Sequence, residues 1–407
     1  MQVERKSSHA PGTRTARAVP AFLSYAFRPF FIAASLWAAL AVLLWMAVLL
    51  TGRTPPSRFD PLSWHIHEML FGFVPAAIAG FLFTALPTWT GRPALKGSAL
   101  AALLGLWTLG RLACLWSARL PWGVAAGIDP AFEWVVCLIA ARDVVLARNW
   151  RNLAMPLPVA VLGIANLLMY LSLTSLPVPP ELGWHLGLAA IIVLVSAVGG
   201  RIIPAFTQNW LLSRGRKQPL PKARVLDRLA MATLHGGLIA WAVFPHSRLV
   251  GALLLLAAVL TALRLVRWRG FATLPEPLLA SLHLGYGWMI AGSAMLGGSI
   301  FVHWVPLSAA IHALTVGAIG TMILAVMTRV SLGHTGRVLH AGRTTTCIYA
   351  LISAAVLCRI AAAFPGAPYL RLILAASAFW IASFIVFAAE YGPLLTAPRI
   401  PAPSTSR

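Results

Sequence analysis

Trp64-His65-Ile66-His67-Glu68-Met69 heads an apolar run that continues to Trp89. Two imidazoles and a carboxylate therefore enter a segment long enough to cross a bilayer. Ionisable groups are costly inside a membrane and are kept where they serve a site. Histidine is also a common ligand of haem iron and copper. The question this stretch sets is which other histidines share its depth, and what they hold together.

The rest of the chain fits a membrane setting. Of the 407 residues, 59% are hydrophobic and 10% charged, with 16 Trp and 18 Phe, a composition outside the range of soluble domains. The net charge of +22 lies mainly in short loops between apolar runs, where membrane orientation requires it, so nucleic acid is not the expected partner and the lipid bilayer is. No P-loop and no GxGxxG after a strand supports nucleotide-driven work. Cys114, Cys137, Cys347 and Cys358 are dispersed in apolar runs without CxxC spacing, so they read as small packing residues.

Runs of about 20 apolar residues predict an all-α integral membrane protein of twelve helices: 29–51, 65–89, 97–117, 122–146, 153–174, 183–207, 227–245, 247–268, 275–298, 306–330, 345–364 and 368–391. Residues 1–28 and 392–407 are expected to be cytoplasmic tails, the first disordered, around a membrane domain of 29–391. With the N-terminus cytoplasmic, 25 Lys and Arg fall in inner segments and five in outer loops, Arg111 and Arg359 lying within helices. That asymmetry predicts a multi-pass protein with both termini cytoplasmic. Trp64, Trp184 and Trp304 recur at intervals of 120 residues, each beside a histidine. The recurrence predicts three four-helix units with helices two, six and ten equivalent.

Orientation gives each histidine a height. His65, His67 and His185 lie at outer helix ends, and His312 is about 9 Å deep from the same side at 1.5 Å per residue. His235 and His283 are about 12 Å deep from the cytoplasmic side; His334 lies in the loop after helix ten, and His246 and His303 in outer turns. His65 and His67 point about 200° apart on a regular helix, so they do not reach one metal together. Glu68 shares a face with His65 and is the candidate to orient a ligand or relay protons. Histidines converging between apolar walls suit haem, expected to be b-type, or copper; zinc and calcium fit less well with so few membrane carboxylates. Arg201, Arg329 and Arg337, with Arg92, are candidates to pair with haem propionates or a quinone headgroup near the inner face.

Phe27-Arg28-Pro29-Phe30-Phe31, WHIHEMLFGF from Trp64, Thr90-Gly91-Arg92, Gly199-Gly200-Arg201-Ile202-Ile203-Pro204, Glu276-Pro277-Leu278-Leu279, HALTVGAIG from His312, MTRVSLGHTGR ending at Arg337 and Tyr391-Gly392-Pro393 resemble the NnrS family over nearly the whole membrane domain. The resemblance implies a bacterial inner-membrane protein containing haem and copper and tied to nitric-oxide stress. It carries over His65, His67, His283, His312 and His334 as motif histidines without saying which metal each holds. A looser analogy is to haem–copper oxidases and nitric-oxide reductases, with ligands on helices two, six, seven and ten. Here those helices carry His65 and His67, His185, His235 or nearby His246, and His312, but no His-His pair and no second HxH on helix ten. The expected activity is reduction of nitric oxide or a related species, with electrons from a membrane quinol. The alternative is a transporter or metal-nitrosyl handling protein of two six-helix halves, which the basic loop 208–226 would suit.

Overall fold

The computed structural model describes residues 19–216, 219–221 and 223–401. Among them there is no strand; fourteen α-helices, two pairs of which are joined through π-helical segments, make twelve rods. They are α1 (Phe27–Thr51), α2 (Pro61–Thr90), α3 (Gly97–Leu115), α4 (Trp122–Leu146), α5 (Pro156–Leu171), α6 (Pro180–Ser213), α7 (Arg224–Val243), α8 (Arg248–Val266), α9 (Pro277–Ser299), α10 (Leu307–His334), α11 (Arg343–Ala361) and α12 (Tyr369–Thr396). Ten are long and apolar enough to cross a membrane, and the protein is an all-α integral membrane protein. The other two are α7, which opens with Arg224, Asp227 and Arg228, and α9, diluted by Gly, Ser and His283.

Several rods start or end where local chemistry, rather than hydropathy, dictates. The expected start of the second helix at residue 65 is corrected to Pro61. Asp60 caps it by accepting from the Leu62 and Ser63 N–H groups, and Pro61 fills the first turn, where no N–H is needed. His65 and His67 therefore sit a full turn inside the rod. Glu276 caps α9 in the same way, ahead of Pro277. The sixth helix runs to Ser213, not 207, and takes up part of the basic loop.

Both ends of the membrane domain reach beyond 29–391. Phe27 and Arg28 are buried, and Arg28 Nη1 donates to the carbonyls of Leu395 and Ala397 at 2.8 and 2.6 Å. Further along, the Ile400 N–H reaches the Thr335 carbonyl. Residues 1–18 and 402–407, where the expected tails mostly fall, lie outside the described residues.

At the centre, α2, α6 and α10 touch one another. Of the ten apolar rods they are the most enclosed, with 78, 56 and 67% of their most apolar stretch buried, against 50% or less elsewhere. Two of the three are interrupted. A π-helical segment runs from Glu68 to Phe73 in α2, directly after His67, and another from Ala313 to Gly320 in α10, directly after His312. Widened turns of this kind are rare and concentrate at functional sites.

Candidate functional site

α2 faces two different environments, and its two histidines divide between them. On one side is a cavity of about 490 Å³ walled by α1, α2, α6, α10, α11 and α12. This is within the roughly 300–1,000 Å³ of small-molecule sites. Its lining is apolar and aromatic, with Trp45, Trp184, Phe73 and Trp380, and it includes His65, His312 and Arg359.

His312 is prepared for coordination. Its Nδ1 lies 2.7 Å from the Ser308 carbonyl, one turn earlier. A carbonyl only accepts, so Nδ1 carries the proton and Nε2 keeps a free lone pair, which is how a second partner fixes the tautomer of a ligating imidazole. His65 stacks on Trp45 at 4.8 Å between ring centroids, and its Nδ1 is buried without a hydrogen-bond partner among the described residues. Arg359 reaches the Ser308 hydroxyl through Nη2 at 3.2 Å, while its Nη1 is buried without a partner among the described residues. Two imidazoles and an uncommitted cation thus meet in an apolar chamber.

This set fits haem. The flat walls suit a porphyrin, His312 offers a lone pair backed by a carbonyl, and Arg359 offers charge to an anionic edge. Arg359 was noted in the sequence only as a cation within a helix; a second ionisable group at the depth of His312 was the signal that would have found it.

On the other side of α2 is a fully buried polar cluster. His67 Nε2 lies 3.0 Å from both Asp129 Oδ2 and Asn166 Oδ1, and Nδ1 lies 3.3 Å from Glu68 Oε1 and 3.4 Å from Cys114 Sγ. Glu68 Oε2 accepts from Arg111 Nη1 and from the Trp37 indole, each at 2.8 Å. Arg111 Nη2 also pairs with Asp129 Oδ1, and Tyr170 donates to Asp129 Oδ2 at 2.9 Å. The expected partnership of Glu68 with His65 is corrected: Glu68 turns to the side of His67, where Arg111 and the Trp37 indole bind its carboxylate, away from the cavity.

The remaining candidates lie apart from these two sites. His185 is packed between Trp184 and Trp241, at 4.0 and 4.1 Å. His283 Nε2 contacts the Thr207 hydroxyl at 2.9 Å, far along α6 from His185. His334 closes α10 and packs on Phe27 at 5.6 Å, and 22 residues at 1.5 Å each set it roughly 30 Å from His312. His235 meets the Ser196 hydroxyl. Arg201 is held by Asn152 and the Arg151 carbonyl, Arg329 lies 4.1 Å over the Phe206 ring, and Arg337 Nη1 is buried without a partner among the described residues. The structure brings His65 to His312 and His67 to Glu68, and leaves His185, His283 and His334 outside both groups.

Residues 21–399 match the model of the family described as NnrS protein. No curated protein matches the chain.

Proposed function

The chain belongs to the NnrS family, and on that premise we propose that it is a haem- and copper-dependent redox enzyme that binds and reduces nitric oxide or a related species. Membership suggests a membrane protein of the nitric-oxide response. We take it to sit in a bacterial inner membrane with both termini cytoplasmic, as the Lys and Arg asymmetry favours. The observation that carries the reading is His312, whose proton is tied to Ser308 and whose lone pair is left free beside a cavity that also holds His65 and Arg359.

In this reading His312 would hold a b-type haem, with His65 beside it and Arg359 supplying positive charge to its carboxylates. Haem bound there supplies an iron centre that carries electrons and binds a diatomic gas. The protein's own share is to exclude water and to fix orientation. Trp45 holds the His65 ring by stacking, Ser308 holds the His312 ring through its carbonyl and steadies Arg359 through its hydroxyl, and the aromatic walls supply an apolar lining. A membrane quinol is the proposed donor. Its oxidation to quinone releases the two electrons and two protons with which two nitric-oxide molecules give nitrous oxide and water.

A reduced-minus-oxidised absorption spectrum tests the site. The wild-type protein is expected to show haem bands that shift on adding nitric oxide, and His312→Ala to lose them; unchanged haem content in that variant would overturn the assignment. Sustained quinol consumption with nitric oxide separates an enzyme from a carrier, which saturates after one equivalent.

A further inference from the structure

We propose that His67 Nδ1, Glu68 Oε1 and Cys114 Sγ form a second metal site, separate from the cavity, that takes a thiophilic first-row ion of the copper class. The proposal deepens the copper part of the reading above and does not depend on the haem assignment.

The hydrogen-bond accounting around His67 motivates it. Nε2 lies between two acceptors, Asp129 Oδ2 and Asn166 Oδ1. The Asn166 amide is oriented that way because its Nδ2 donates to Glu133 Oε1. The single N–H of a neutral imidazole therefore belongs on Nε2, and the Nδ1 lone pair faces Glu68 Oε1 and Cys114 Sγ. Both oxygens of Glu68 are at the cluster, but the donors Trp37 and Arg111 reach only Oε2. One thiol proton can serve Nδ1 or Glu68 Oε1, not both, whereas a cation among the three satisfies all of them.

Distances and charge agree with an ion. The three donor atoms lie within 4.8 Å of one another, with Nδ1 to Oε1 and Nδ1 to Sγ at 3.3 and 3.4 Å. Metal bonds of about 2.0–2.3 Å place ligand atoms roughly 3.3–3.6 Å apart around a tetrahedron. With Glu133 held as the neutral acid behind Asn166, Glu68, Asp129 and a Cys114 thiolate carry three negative charges; Arg111 and a divalent ion carry three positive ones. A balanced set of this kind is what a fully buried site demands. Asp129 then orients the imidazole as the carboxylate of a carboxylate–histidine–metal arrangement, and Arg111 fixes both carboxylates. Imidazole with thiolate favours copper over the hard cations.

The test uses full-length protein expressed in copper-supplemented and, separately, cobalt-supplemented medium. Elemental analysis is expected to give one copper per chain, and the cobalt form a thiolate-to-metal charge-transfer band. Cys114→Ser should abolish that band with haem content unchanged, and Asp129→Asn should keep it while weakening retention against a chelator roughly 10- to 100-fold. His312→Ala should keep the cobalt band even where haem is lost, so the two assignments fail separately. Wild-type protein that shows no charge-transfer band and no copper beyond Cys114→Ser overturns the proposal and leaves His67 a doubly protonated imidazolium between Glu68 and Asp129.

Discussion

A neutral imidazole has one N–H and one lone pair, so the partner at one nitrogen decides what the other can do. At His312 the Ser308 carbonyl takes the proton; at His67 Asp129 and Asn166 compete for it. His65 and His67 were legible in the sequence as a diverging pair, because residues two apart on a helix point about 200° from each other. The groups around His67 were not. Arg111 and Cys114 come from α3, Asp129 from α4 and Asn166 from α5, and nothing in the chain order links these three apolar runs to His67. The spacing of Asp129 and Glu133, four apart on one face of a membrane helix, was the usable sign. Arg111 holds Glu68 and Asp129 together while only 3% of its side chain is exposed. Arg111→Leu would leave both carboxylates uncompensated, and a loss of roughly 3–5 kcal/mol is expected, read as a lower midpoint of thermal unfolding in detergent. A midpoint equal to wild type would show that the pair is not a structural necessity.

Apolar length predicted the all-α membrane class and located the helical rods, ten of which are long and apolar enough to cross a membrane, but it carries no information about how a helix is wound inside. The π-helical segments of α2 and α10 follow His67 and His312 and shift the register of every residue below them. The shift is invisible to a fixed 100° periodicity. Glu68 stands ahead of it, its N–H still bonded back to Trp64 and His65. On a regular helix it lies about 60° from His65 and about 100° from His67, so spacing alone did not decide which histidine it joins. Gly72 lies within the first widened segment, and a methyl there would come within 2.7 Å of Arg111, Glu68 and the Trp37 indole. Gly72→Ala should therefore force the ion pair apart, at a cost of roughly 1–3 kcal/mol. Thermal unfolding checks it, and because the cavity lies on the opposite side of α2, haem content at low temperature should stay near wild type.

Across the whole molecule, the central contact of α2, α6 and α10 puts the two decorated rods side by side with α6, and the outer rods complete the wall. The contacts of Arg28 with Leu395 and Ala397 set the start of α1 and the end of α12 at one end of the bundle. Reporter enzymes fused at the N-terminus and at the C-terminus should therefore report the same compartment, the cytoplasm by the Lys and Arg asymmetry. Opposite readings would break the proposed topology. That same clasp joins residues 367 positions apart in the chain, and at ~5–20 residues per second the ribosome needs roughly 20–70 s to travel between them. α1 must wait for α12, so the bundle is a ring that closes only when its last-made rod arrives.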